Sequence, residues 1–360
     1  MGPGPEARAR PPVPTVDERD TWGAAVTVET TGPDATSSGT EAADAGNTEA
    51  GYDGAPARLG GDGRATVVAF ANQKGGVGKT TTTVSLAAAL AQGGARVLLV
   101  DLDPQGNAST GLDVRIGPDD PSTYDVLVEG AAVADAVRTT AIPGLTVLPS
   151  SLELAGAEVE LVQAMARERA LARAIDAVRP DHDLVLIDCP PSLGLLTINA
   201  FVAADQLLVP IQCEYYALEG LSQLLRTVGL VEQNLNAGLT IGNVVLTMFD
   251  ARTRLAQQVV DEVRSFFGPR TFDTIIPRTV RLSEAPSYAQ PITVFDPESR
   301  GAGAYLTLAD EFAARLEVAA YDPARARRVA AEMKAAEVAA EQALADAAQA
   351  GDTPAEETDR

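Results

Sequence analysis

Asn72-Gln73-Lys74-Gly75-Gly76-Val77-Gly78-Lys79-Thr80-Thr81-Thr82 is the stretch on which the fold turns. It follows a short apolar run, Thr66-Val67-Val68-Ala69-Phe70-Ala71, and opens an Ala- and Leu-rich segment from Thr82 to Leu90. A Gly-rich turn between a buried strand and a helix is the setting a phosphate-binding loop requires. Glycines let the backbone curl so that its N–H groups point inward, and the helix N-terminus adds partial positive charge. Lys79 is then placed to meet β- and γ-phosphates, the Thr80 hydroxyl to ligate Mg²⁺, and Thr81 to contact the α-phosphate.

Outward from this loop the chain alternates strands and helices. The helix that begins in the loop is expected to stop at Gly93-Gly94. Arg96-Val97-Leu98-Leu99-Val100-Asp101 is a continuous apolar run ending in acid, and comparable runs follow at 145–148, 184–187, 206–211 and 239–247, with a short one at 274–276. Helical patterns lie between them, clearest over 217–234 and 255–267. Continuous apolar strands separated by helices predict an α/β domain with a mostly parallel sheet covered on both faces, over residues 64–321.

The flanks differ. Residues 1–63 carry 11 acids against 4 bases and show no apolar periodicity, so a disordered acidic arm is expected there. Residues 322–360 are Ala- and Glu-rich, which predicts a partly helical, solvated acidic tail whose small apolar positions bury little area.

Two acidic strand ends complete the expected site. Asp101-Leu102-Asp103-Pro104-Gln105-Gly106-Asn107 follows the second strand, at the carboxyl edge where open α/β sheets bind ligands. If that strand continued, its period of two would put both carboxylates on one side. Leu186-Ile187-Asp188-Cys189-Pro190-Pro191-Ser192 resembles a Walker B strand, with Asp188 holding Mg²⁺ through water.

The loop departs from G-x-x-x-x-G-K-[ST] in having Gln at 73 and an extra lysine, Lys74. Lys74-Gly75-Gly76-Val77-Gly78-Lys79-Thr80 resembles the deviant Walker A motif of the ParA/MinD family of ATPases. Further landmarks resemble the chromosomal ParA branch: Leu154-Ala155-Gly156-Ala157-Glu158, Gln212-Cys213-Glu214-Tyr215-Tyr216-Ala217-Leu218-Glu219-Gly220, and Arg278-Thr279-Val280-Arg281-Leu282-Ser283-Glu284-Ala285-Pro286. The resemblance spans residues 65–320. It implies Mg²⁺-dependent ATP hydrolysis and an ATP-bound homodimer across which Lys74 reaches the partner's phosphates. It further implies that Asp103 orients the attacking water, that the dimer binds double-stranded DNA without regard to sequence, and that a ParB-type centromere-binding protein stimulates hydrolysis.

Composition sets limits on these implications. The formal charge is −22, from 28 Lys+Arg against 50 Asp+Glu, which opposes DNA binding unless positive charge is local. Residues 249–282 supply such an island, six arginines against four acids; the family resemblance singles out Arg252 and Arg281 as the DNA-binding pair. A membrane-positioning relative of the MinD type is the alternative, and it would need a C-terminal helix with large apolar residues and a basic face. The tail here is acidic and Ala-rich. Cys189 and Cys213 lack a Gly-rich cluster-binding setting, so an iron–sulfur role is not expected. With no run near the roughly 18 apolar residues of a membrane span and two cysteines only, a soluble, cytoplasmic, nucleoid-associated protein is expected.

Overall fold

The structure is a computed structural model that describes residues 64–215 and 221–351, for 344–351 the backbone alone. The expected arm, 1–63, lies outside the described residues, as do 217–220 of the 217–234 helical pattern and 352–360 of the tail.

Eight strands form one sheet: β1 Thr66–Phe70, β2 Val97–Asp101, β3 Arg138–Thr139, β4 Leu145–Leu148, β5 Leu184–Asp188, β6 Gln206–Gln212, β7 Thr240–Phe249 and β8 Thr271–Pro277. Their order is β3-β4-β2-β5-β1-β6-β7-β8, parallel throughout except that β3 runs antiparallel to β4. The helices are α1 Lys79–Gln92, α2 Asn107–Thr110, α3 Val133–Ala136, α4 Leu154–Glu160, α5 Ala170–Asp176, α6 Leu195–Ala203, α7 Leu221–Asn234, α8 Arg254–Phe267, α9 Val280–Glu284, α10 Ile292–Phe295, α11 Arg300–Arg315 and α12 Pro323–Gly351.

Strand alternation divides the core in two. Val67, Ala69, Leu98, Val100, Val185 and Ile187 face one cluster, closed by helices such as α5 to α8. Val68, Phe70, Val97, Leu99, Leu184 and Leu186 face the other, closed by α1 and α11. Every central strand is buried on both sides, which is why these strands read as unbroken apolar runs. Helix α1 is buried almost all round; its alanines allow close approach, and Thr82 Oγ1 lies 3.0 Å from the Tyr305 hydroxyl of α11.

Three features depart from expectation. The edge strand β3 is two residues long, too short for an alternation signal. Strand β8 begins at Thr271 rather than 274, its start tied to Arg315 of α11, which donates to the Thr271 carbonyl (3.1 Å). The tail expected to be a solvated helix is docked at its start. Ala326 and Ala330 of α12 are 0% and 1% exposed, the Asp322 amide donates to the Gly93 carbonyl (2.9 Å), and Arg327 pairs with Asp310 of α11. Small side chains bury little area each, but they let helices meet closely. Gly93 shows the fit: a Cβ there would lie 2.3 Å from the Tyr321 ring.

Candidate functional site

The loop after β1 meets α1 at the carboxyl edge of the sheet, between β5 and β6. Gly76 (φ 74°) and Gly78 (φ 85°) take the left-handed conformation that side-chain-bearing residues rarely adopt. Gly78 is the N-cap of α1 and no side chain caps the helix, so its first N–H groups stay available for an anion. Two anchors that sequence reasoning missed hold the loop. Asn72 Nδ2 donates to the Pro210 carbonyl of β6 (2.7 Å) while its Oδ1 accepts from the Lys74 amide (3.0 Å). Thr247 Oγ1, on β7, donates to the Val77 carbonyl (2.8 Å). The local Asn–amide turn is a signal the motif itself carried; the contact from β7 has no local signal.

Lys79 is the first residue of α1 and only 7% exposed. Burial pushes its ammonium below the ordinary lysine value, with the Asp188 carboxylate opposing. Thr80 Oγ1 donates to Asp188 Oδ2 (2.7 Å), and Thr83 Oγ1 donates to Asp188 Oδ1 (3.1 Å). Asp188 ends β5 fully buried, in register with Asp101 at the end of β2. Burial, then the charge of Asp101, raises the Asp188 carboxyl to about 7; burial raises Asp101 to about 6. A cation bound beside this pair would favour the ionised forms. The oxygen donors present, one hydroxyl backed by one carboxylate, fit Mg²⁺, with Thr80 as ligand and Asp188 behind it as an outer partner.

Strand β2 stops at Asp101 and does not continue to Asp103, so the two carboxylates are not placed by strand alternation. Asp101 turns inward and accepts from the Ser109 amide (2.8 Å) and hydroxyl (2.7 Å), a structural role that fastens the following loop. Asp103 stays at the surface of the site, accepting from the Gln105 amide through Oδ1 (3.0 Å). The Lys74 ammonium is half-buried and has no hydrogen-bond or ion-pair partner among the described residues. A cleft of about 260 Å³ opens beside Thr80 and Thr81, walled by Asn107 and Thr110 on one side and by Leu282 and Gln290 on the other.

Most arginines of the island are engaged by acids or carbonyls. Arg252, 88% exposed, pairs with Asp250 (2.7 Å), and Arg281 pairs with Asp296 (3.0 Å) and Glu284 (3.1 Å) while lying over Phe295. Arg278 pairs with Glu214 (2.7 Å), Arg264 donates to the Asp273 carbonyl, and Arg270 is buried. Arg254, the first residue of α8, is exposed and makes no ion pair among the described residues. Cys189 and Cys213 are buried free thiols, the latter pushed up to about 12 by burial. His182 is half-buried against Thr146 and the Val178 carbonyl, away from the loop.

Comparison with known proteins gives consistent relatives. The family described as an AAA domain matches residues 65–241. The sporulation initiation inhibitor protein Soj of Bacillus subtilis is 56% identical over 248 residues, covering 69% of this chain and 98% of the relative. The chromosome partitioning protein ParA of Caulobacter vibrioides is 51% identical, covering 69% and 94%. Among solved structures, a Mycobacterium smegmatis protein described as cobyrinic acid a,c-diamide synthase, holding an ATP analogue and magnesium, superposes with a TM-score of 0.62. It is 39% identical and covers 70% of this chain and 96% of its own.

Proposed function

The chain belongs to the ParA/MinD family of deviant Walker A ATPases, in its chromosomal ParA branch, and from that premise we propose that its ATP-bound homodimer binds DNA non-specifically and is reset by hydrolysis. It is an ATPase that works on ATP with Mg²⁺. Its identity to Soj and to the chromosome partitioning protein ParA, 56% and 51%, exceeds the 39% to the synthase, which favours a partitioning role over a synthase role. The observation that carries the proposal is the Thr80–Asp188 hydrogen bond at an uncapped helix N-terminus that also bears Lys79.

In this reading Lys79 and the amides of 75–80 hold the phosphates, with Thr81 at the α-phosphate. Mg²⁺ held by Thr80, with Asp188 behind it, would supply charge neutralisation at the phosphates. Asp103 orients water toward the γ-phosphate. Lys74 crosses to phosphates held by a second copy, a role its unpaired ammonium supports. Residues 64–321 make up the catalytic body, and the partner that stimulates hydrolysis is of the ParB type. The membrane-positioning alternative is disfavoured by α12, whose Ala326 and Ala330 are packed inward. Among the described residues, no helix is long and apolar enough to cross a membrane. ATPase activity measured with non-specific DNA and the cognate centromere-binding protein tests the cycle. Joint addition is expected to stimulate turnover beyond either alone; no response to the pair contradicts it.

Net charge is a sum, whereas DNA needs only a local positive surface. The ion pairs of Arg252 and Arg281 lie at the surface, where solvent screening keeps such pairs weak, so a phosphate can displace the carboxylate partner. Arg254 adds a third cation beside Arg252, at a helix N-terminus. Arg252→Ala and Arg281→Ala are each expected to weaken DNA binding uniformly across sequences. Each should shallow the log–log salt slope by roughly one unit for every phosphate no longer neutralised, with the ATP-dependent dimer intact. Parental affinity at matched salt would move the DNA surface elsewhere.

A further inference from the structure

The chain enters the loop where the pairing of β1 with β6 runs out. The Ala71 amide donates to the Leu208 carbonyl (3.2 Å), just past a register that ends at Phe70 and Leu208. A parallel ladder repeats every second residue, so the next acceptor on that edge of β6 is the Pro210 carbonyl. Asn72 meets it with a side chain: Nδ2 donates to Pro210 (2.7 Å), and the main chain is free to turn away. The other end of the carboxamide, Oδ1, accepts from the Lys74 amide (3.0 Å). A carbonyl on one side and an N–H on the other admit only this orientation. Asn72 is 7% exposed and engaged at both ends.

The Val77 carbonyl is held separately, by Thr247 Oγ1 of β7 (2.8 Å), directly before the N-cap Gly78 and Lys79. Between the two anchors lie Gly75 and Gly76, where an added Cβ would have nothing within 4 Å. Glycines in open space form a soft joint, since neither side chains nor packing stiffen them. The loop therefore has two halves tied to different strands, one bearing Lys74 and the other leading into Lys79.

We propose that these anchors have separate tasks. Asn72 is a positioning residue that sets where Lys74 leaves the chain for the partner's phosphates, and Thr247 one that holds the half binding the subunit's own nucleotide. The first task rests on the cross-interface reading of Lys74 given above. Asn72 acts through Lys74 and touches no nucleotide.

The test uses the full-length protein with Mg²⁺ and an ATP analogue that is not hydrolysed. Titration of a fluorescent form of the analogue into protein dilute enough to stay monomeric reads the subunit's own site. Sedimentation at saturating analogue reads the dimer. Asn72→Ala is expected to keep monomer affinity within about twofold of the parent while weakening the dimer by roughly ten- to hundredfold. That is a three- to tenfold loss, about one hydrogen bond, entered at each of two symmetry-related lysines. Thr247→Val should do the reverse: roughly three- to tenfold weaker nucleotide binding, with a parental dimer once nucleotide saturates. Asn72→Ser keeps an oxygen for the Lys74 amide and should dimerise between the parent and Asn72→Ala. Parental dimerisation in Asn72→Ala, equal loss at both readouts, or parental affinity in Thr247→Val overturns the division of tasks. A parental dimer in Lys74→Ala overturns instead the cross-interface role of that lysine. If Asn72→Ala does not fold, Asn72→Ser decides alone: a weakened dimer with parental nucleotide affinity supports the proposal, and any other result overturns it.

Discussion

Lys79→Ala is expected to abolish MgATP binding, weakening it by roughly two orders of magnitude or more, the cost of truncating a charge-assisted contact to phosphate. The side chain starts at the first position of α1, where the amides already point at the anion, so no neighbouring lysine can take its place without moving the helix. Lys74, the other lysine of the loop, leaves the chain earlier, and its amide is pinned to Asn72. The effect on folding should be small by comparison. Burial already disfavours the Lys79 ammonium in the nucleotide-free protein, so its loss removes a group that the fold accommodates at some cost. Calorimetry should show no heat of binding for a variant whose thermal midpoint matches the parent. Parental affinity in that variant would refute the phosphate site.

The second large effect separates chemistry from binding. Asp103→Ala is expected to slow hydrolysis by roughly 10²–10⁴-fold, the range spanned by a positioned acid–base or water-orienting group, while MgATP still binds. The structure distinguishes Asp103 from its neighbour Asp101. Both Asp101 oxygens are taken by backbone and Ser109 contacts, whereas only Oδ1 of Asp103 is engaged, by the Gln105 amide. A carboxylate oxygen of Asp103 therefore remains to hold water. The ATP-bound dimer should accumulate, read by light scattering beside phosphate release. Turnover at the parental rate would assign the water to another residue.

Most of the nucleotide site was legible because it is local in sequence: strand, glycines, lysine and threonines fall within 66–82, and their contacts follow from that order. The parallel sheet was legible for a different reason, since strands buried on both faces leave long apolar runs. What escaped depends on distant partners. Thr247 fastens the loop from β7, 170 residues away, and no periodicity marks it. The docking of α12 escaped because alanine carries a weak apolar signal, yet Ala326 and Ala330 pack closely against the domain, with the way opened by the absent side chain of Gly93. Arginine counting located a basic stretch but not its pairing. Arg252, Arg278 and Arg281 lie near acids from their own loop or from elements up to 64 residues distant.

The most direct test of ATP-gated DNA binding is the affinity of the full-length protein for a random-sequence duplex across a salt series, with and without MgATP under conditions where ATP is not depleted. Binding is expected only with MgATP, to be equal on unrelated sequences, and to fall linearly in log–log form with salt. Equal binding without nucleotide, or none with it at low salt, would contradict a nucleotide-gated DNA-binding dimer.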